Sequence, residues 1–267
     1  MRTIILKSED EIKLMYRAGQ IVADVFTAVK PLMREGVSTL EIDREVNRVI
    51  TGQGARPCFL NYGEPPFPGS ACVSINEEVV HGIPSAERIL RKGDIVSVDV
   101  GAELNGYNGD ACRTFVVGET APEIQKLVDV TEESFWKGLE QAYIGKRIGD
   151  ISHAVQAHCE AHGFGVIREL TGHGIGRDLH EEPNLLNYGR PGRGPRLEVG
   201  MCLCLEPMIT LGDYDIAILD DEWTIVTSDG LAASHYENTF AITADGPKCL
   251  TLTPAEAEEH REFAYDA

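Results

Sequence analysis

The hydrophobic positions of the chain first follow a helical period. Ile12, Met15, Tyr16, Ile21, Val22, Val25, Phe26 and Val29 form one apolar stripe, which predicts a helix ending near Pro31. Ser8-Glu9-Asp10-Glu11 is a capping box that opens it, pairing a serine hydroxyl and a glutamate with the first free amides. Ser38-Thr39-Leu40-Glu41 has the same form and predicts a second helix running to Gly52. A loop rich in proline and glycine follows over 57–70, after which the period shortens to two and predicts strands at 71–76, 94–102 and 111–117. Thr120, Pro122 and Glu123 begin a third helix, to about Tyr143, and Gly149-Asp150 a fourth, to Gly163. Strand patterns dominate thereafter, at 165–170, 200–210, 215–219, 222–228 and 236–243.

The order of two helices followed by strands thus occurs twice, and landmarks in the two runs keep the same spacing. Val37 to Gly52 and Ile148 to Gly163 both span 15 positions; Gly93 to Asp99 and Gly200 to Glu206 both span six. The pattern predicts an internal duplication, with halves at about 8–118 and 119–243 related by a pseudo-twofold axis inside a single domain over 1–267. Helices and antiparallel hairpins segregate instead of alternating, which is the α+β class. A cleft shared by two halves is a common location for a ligand.

Five residues in sharply defined surroundings suit that cleft. Asp99 lies in an alternating strand whose other face is Val96, Val98 and Val100, and Asp110 returns beside it after a turn through Asn105-Gly106. Two carboxylates facing each other across a hairpin repel unless something cationic sits between them. A metal ion would satisfy them, as would solvent or Arg113. His173 is flanked by glycines in Gly172-His173-Gly174-Ile175-Gly176, so the backbone there can approach something closely. Glu206 ends an apolar strand, Cys202-Leu203-Cys204-Leu205-Glu206, where a charge is costly unless paired or bound to metal. Glu237 sits in Ser234-His235-Tyr236-Glu237-Asn238, and His81 in Val79-Val80-His81-Gly82. Asp99, Asp110, His173, Glu206 and Glu237 together suit two divalent cations in an oxygen-rich site with one nitrogen, and so metal-assisted hydrolysis. Such ligands favour harder ions such as Mn, Fe(II) or Co over a thiolate zinc site.

Composition excludes several alternatives. Acidic side chains outnumber basic ones 43 to 24, a net charge of −19 that opposes binding to nucleic acid or an anionic membrane. Seven cysteines, without a CxxC pair, read as buried reduced thiols instead of a disulfide framework. MRTIILKSEDE is no signal peptide and no run approaches 18 apolar residues, so the cytoplasm is expected. No GxSxG elbow and no phosphate loop is present. The arginines of GRPGRGPR, at 190, 193 and 196, read as a solvated loop.

The segments NEEVVHGIP, GHGIGRDLHEEP, GPRLEVGMCLCLEPM, WTIVTSDG and SHYENT, with the Asp99/Asp110 hairpin, resemble the type I methionine aminopeptidases. That family has the pita-bread fold, a duplicated α+β architecture with helices packed on a curved antiparallel sheet. The likeness runs from the first helix to about Thr243 and leaves out the last twenty or so residues.

By position, the resemblance makes Asp99, Asp110, His173, Glu206 and Glu237 the ligands of two divalent ions (Co, Mn, Fe(II) or Zn), with Asp110 and Glu237 bridging. His81 and His180 match two histidines that contact substrate, and Glu206 is the group that handles the proton. Cys58, Phe59, Tyr62, Phe67, Leu179 and Trp223 fall at the walls of a methionine pocket, although residues 58–68 form a longer loop than the family's. The implied reaction removes the initiator methionine from nascent polypeptides whose second residue is small, near the ribosome exit tunnel, by a monomer without nucleic-acid or membrane specificity. The alternatives are an Xaa-Pro peptidase, whose family carries an extra N-terminal domain, and a metal-free pita-bread binding module, whose members lose ligands.

Overall fold

The computed structural model describes residues 3–266. Its first helix, α1 (Glu9–Val29), opens on the expected capping box, in which Ser8 Oγ accepts from the Glu11 amide and Glu11 Oε2 accepts from the Ser8 amide at 2.9 Å. Helix α2 (Thr39–Gly52) opens on the same device at Ser38 and Glu41. Three short strands follow, β1 (Arg56–Pro57), β2 (Cys72–Ile75) and β3 (Glu78–Val80), and then a long hairpin of β4 (Ile95–Leu104) and β5 (Tyr107–Val116). Asn105 and Gly106, at φ 55° and 80°, form the two-residue turn, so the strands extend further than the sequence pattern suggested.

Helices α3 (Pro122–Leu139) and α4 (Ile148–Ala161) follow the hairpin. The strands after them are short: β6 (Gly165–Val166), β7 (Gly172–Gly174), β8 (Glu181–Leu185), β9 (Cys202–Leu205), β10 (Met208–Thr210), β11 (Ile216–Ile218), β12 (Ile225–Thr227) and β13 (Ala233–His235). Strands β14 (Glu237–Thr243) and β15 (Gly246–Cys249) precede a last helix, α5 (Pro254–Glu259). Pro207 divides the single strand expected over 200–210 into β9 and β10, because proline cannot donate to a ladder.

Nine strands make one antiparallel, curled sheet in the order β1-β4-β5-β14-β9-β7-β8, with β2 also on β4 and β15 also on β14. Helices α1 and α2 cover the Val96, Val98 and Val100 face of β4, while α3 and α4 bury Leu127, Phe135, Ile151 and Val155 against Leu203, Leu205 and Phe240. Helix α1 lies close on β5: a Cβ at Gly109 would stand 2.7 Å from the Gly19 Cα, so Gly109 must lack a side chain, and a Cβ at Gly19 would in turn collide with the Leu250 carbonyl. Among the described residues no helix is long and apolar enough to cross a membrane.

Candidate active site

The sheet register brings the five residues together. Cys72, Asp99, Cys112 and Glu237 stand opposite one another across β2, β4, β5 and β14, and directly opposed residues share a face. Asp110, two residues before Cys112, joins the same face opposite Gly101. A second row runs His173, Cys204, Thr239 across β7, β9 and β14, with Glu206 two residues beyond Cys204. The glycines around His173 are needed because neighbouring strands press on them: a Cβ at Gly172 would collide with the Cys204 carbonyl, and one at Gly174 with that of Glu182.

Asp110, His173 and Glu237 are buried. Ligand atoms of Asp110, His173, Cys204 and Glu237 all lie within 4.8 Å of one another, and His173 Nε2 is 3.5 Å from Glu206 Oε1 and 3.9 Å from Asp110 Oδ2. His173 Nδ1 donates to the Gly174 carbonyl at 2.9 Å, which leaves Nε2 as the unprotonated nitrogen facing the carboxylates. Burial pushes the Asp99 carboxyl up to about 7. Asp110, Glu206 and Glu237 are also raised, first by burial and then by each other's charge and that of Asp99. Burial holds His173 down at about 3, so its ring is neutral.

This donor set fits divalent cations. Among the described residues Asp99 Oδ1, Asp110 Oδ1 and Glu237 Oε1 are buried without a hydrogen-bond partner. Buried anions persist only when paired or bound to a metal, and hard cations take carboxylate oxygens with a neutral imidazole nitrogen.

The cluster lines a chamber of about 270 Å³ whose other walls include Phe59, Tyr62, Phe67, Leu179, Trp223 and both histidines, His81 and His180. Trp223 is fixed by a 3.0 Å bond from Nε1 to the Pro65 carbonyl and stacks edge-on against Phe67 and His81. His81 holds a left-handed φ of 60°, and burial keeps its imidazole at about 4. Leu179 and His180 ride on a turn secured by Glu181, which accepts from the Arg177 and Asp178 amides and, at 2.5 Å, from the buried Lys7 ammonium.

Two expectations need correction. Cys58 does not line the chamber: side chains alternate at the end of β1, Phe59 takes the inner side, and the Cys58 thiol donates to Asn108 Oδ1 in an adjoining hollow. Arg113 is no partner of the aspartates, since it projects from the opposite face of β5 and pairs with Glu256. All seven cysteines are free, yet Cys72 lines the chamber and Cys204 stands among the carboxylates. His235 was not singled out either; it lines the chamber with Nε2 4.0 Å from Glu206 Oε2. Its signal was the two-residue step to Glu237, obscured because the run breaks into β13 and β14 at Tyr236.

The family model for metallopeptidase family M24 matches residues 13–244. The chain belongs to this family. It is 51% identical over 249 residues to the methionine aminopeptidase of Clostridium acetobutylicum, covering 93% of this chain and 99% of that protein. The crystal structure of a Thermotoga maritima methionine aminopeptidase superposes with a TM-score of 0.91 at 42% identity, covering 94% of this chain and all of the other. A Pyrococcus furiosus prolidase shares the fold at a TM-score of 0.76 and 24% identity, and this chain spans 66% of it. These M24 neighbours have the pita-bread architecture, the fold expected from the sequence. The Xaa-Pro alternative is not favoured, because relatives at 41–51% identity over nearly the whole chain carry the methionine aminopeptidase name.

Proposed function

We propose that the protein removes the initiator methionine from new polypeptides whose second residue is small. The observation that carries this is a single cavity with a buried Asp/Asp/His/Glu/Glu cluster on one wall and the apolar side chains of Phe59, Phe67, Leu179 and Trp223 on the others. Asp99, Asp110, His173, Glu206 and Glu237 would hold two divalent ions. When bound, these ions supply Lewis acidity that activates water and polarises a carbonyl at neutral pH.

The remaining work falls to side chains of this chain. Phe59, Phe67, Leu179 and Trp223 enclose the methionine side chain and exclude water from it. Glu206 takes the proton of the attacking water. His180 donates to the oxygen on which negative charge develops, and His81 stands by the departing nitrogen. The Asp99 end of the cluster receives the free α-amino group, which limits the reaction to chain termini. We place the activity in the cytoplasm, on chains leaving the ribosome, with the protein acting as a monomer.

Release of free methionine from Met-Ala-Ser and Met-Leu-Ser, with Mn, Co, Fe(II) or no added metal, tests the reading. Metal-dependent cleavage of the first peptide with little of the second is expected. Cleavage of Xaa-Pro peptides alone would transfer the protein to the prolidase activity, and inertness toward all of them would leave a binding role.

A further inference from the structure

Behind the acidic cluster, on the other face of the sheet, Arg113 is buried with all five of its N–H donors used. Nη1 donates to the carbonyls of Glu237 at 2.5 Å and Cys112 at 2.9 Å; Nη2 donates to Asn238 Oδ1 at 2.7 Å and Glu256 Oε2 at 3.1 Å. Nε donates to Glu256 Oε1 at 2.6 Å. The Phe26 and Tyr236 rings lie 4.8 and 4.5 Å from the guanidinium carbon. Glu256 is itself held by the first turn of α5, where Oε2 also accepts from the Thr253 amide and hydroxyl. Asn238 Oδ1 takes a further bond from Thr251 at 2.8 Å.

The place of these bonds matters more than their number. Strands β5 and β14 meet through only two registered pairs, Glu237 with Cys112 and Asn238 with Ala111. Asp110 lies on one side of that seam and Glu237 on the other, so the seam sets the separation of two proposed ligands. Arg113 belongs to β5 and bonds to both β14 residues of the seam. Its counter-ion comes from α5, beyond residue 244, where the family match ends.

We propose that Arg113, held by Glu256, is a positioning residue that fixes Glu237 against Asp110, so that the C-terminal helix governs assembly of the metal centre. The proposal rests on the metal roles given above to Asp110 and Glu237. Arg113 touches no substrate; it acts through the Glu237 backbone. Loss of an outer partner of a metal ligand weakens metal affinity by about 10–100-fold. Without the Glu256 carboxylate the buried guanidinium would turn toward water and release the Glu237 carbonyl.

The structure also provides a means of testing this. A cavity of about 550 Å³ opens beside the guanidinium, lined by Phe26, Glu132, Tyr236 and Glu256. In R113A this space would join the void left by the side chain and admit a small planar cation.

Mn²⁺ titration calorimetry on the chelator-stripped full chain, paired with thermal melts, is the experiment. Wild type, R113A and E256Q are compared, and R113A is repeated with millimolar methylguanidinium or urea. Mn²⁺ affinity is expected to fall by about 10-fold or more in R113A, and in the same direction in E256Q. Methylguanidinium, but not urea, should restore the R113A affinity. If both variants bind Mn²⁺ within about two-fold of wild type while melting earlier, Arg113 supports only the fold and the proposal is overturned. Should R113A not fold, the affinity of the near-isosteric E256Q decides alone. A wild-type protein that takes up no Mn²⁺ would refute the metal reading itself, a result distinct from equal binding by wild type and variants.

Discussion

The phenolic oxygen of Tyr62 lies 2.6 Å from Nδ1 of His180, at the mouth of the chamber. Burial, with the charges of Asp110 and Asp178, raises the Tyr62 pKa, so the phenol keeps its proton and is the natural donor. Nδ1 then accepts, and the imidazole carries its proton on Nε2, the nitrogen free to donate to a substrate oxygen. The loop around Tyr62 is closed by its own backbone, through Tyr62 to Phe59 at 2.9 Å and Phe67 to Tyr62 at 2.8 Å. Replacing Tyr62 with Phe removes one hydrogen bond of about 0.5–1.5 kcal/mol, which predicts a loss of about 2–10-fold in kcat/KM toward Met-Ala-Ser. An unchanged value would mean that something else sets the tautomer.

Glu206 stands between two imidazoles, with His173 Nε2 at 3.5 Å and His235 Nε2 at 4.0 Å. The Glu206→Gln amide has nearly the same shape, so the circular dichroism spectrum should not change. It cannot take a proton from water, and turnover should fall by about 10²–10⁴-fold. Turnover at the wild-type rate in this variant would remove Glu206 from the proton path.

His81 lines the chamber without joining the carboxylates, its carbonyl tied to Thr224 Oγ1 at 3.5 Å. His81→Ala should therefore lower kcat by about 10²-fold or more while leaving bound metal, measured by atomic emission, near the wild-type level. Equal losses of activity and metal would make His81 a ligand.

How much of this was legible from the chain alone depended on the range of each interaction. Capping boxes act over three residues, and those at Ser8 and Ser38 placed the starts of α1 and α2 correctly. Alternation and the Asn105-Gly106 turn likewise put Asp99 and Asp110 on one face, because both signals are contained in the hairpin. Strands β7, β8 and β15 carry glycine or proline in three to five residues and are strands only because a neighbour pairs with them. Lone residues with distant partners were equally opaque: Arg113 meets Glu256 across 143 positions, and Lys7 meets Glu181 across 174. The place of Cys58 was opaque for the same reason, since its thiol bonds to Asn108 across 50 positions.

The same cluster predicts how stability depends on pH. Carboxyl groups whose pKa rises on folding stabilise the metal-free protein fully below their unfolded values, 3.8 for Asp and 4.5 for Glu. That contribution is lost as pH climbs through the folded values, which for Asp99 is about 7. His81, His173 and His235, depressed to about 4, 3 and 3, work in the opposite sense: their contribution is present above 6.5 and is lost as pH falls below it. From about pH 7.5, a unit above the unfolded histidine value of 6.5, to about pH 8.5 the histidines are neutral in both states and the carboxylates act alone. The chelated protein should therefore melt at progressively lower temperature across that window. With Mn²⁺ present the carboxylates release their protons to a cation, and the melting temperature should hold or rise, since metal affinity grows with pH. Melts at several pH values with EDTA or with Mn²⁺ separate the two cases. A chelated protein that gains stability from about pH 7.5 to about 8.5 would mean that the carboxylates ionise freely without metal, and that the cluster is not the closely packed set of anions described above.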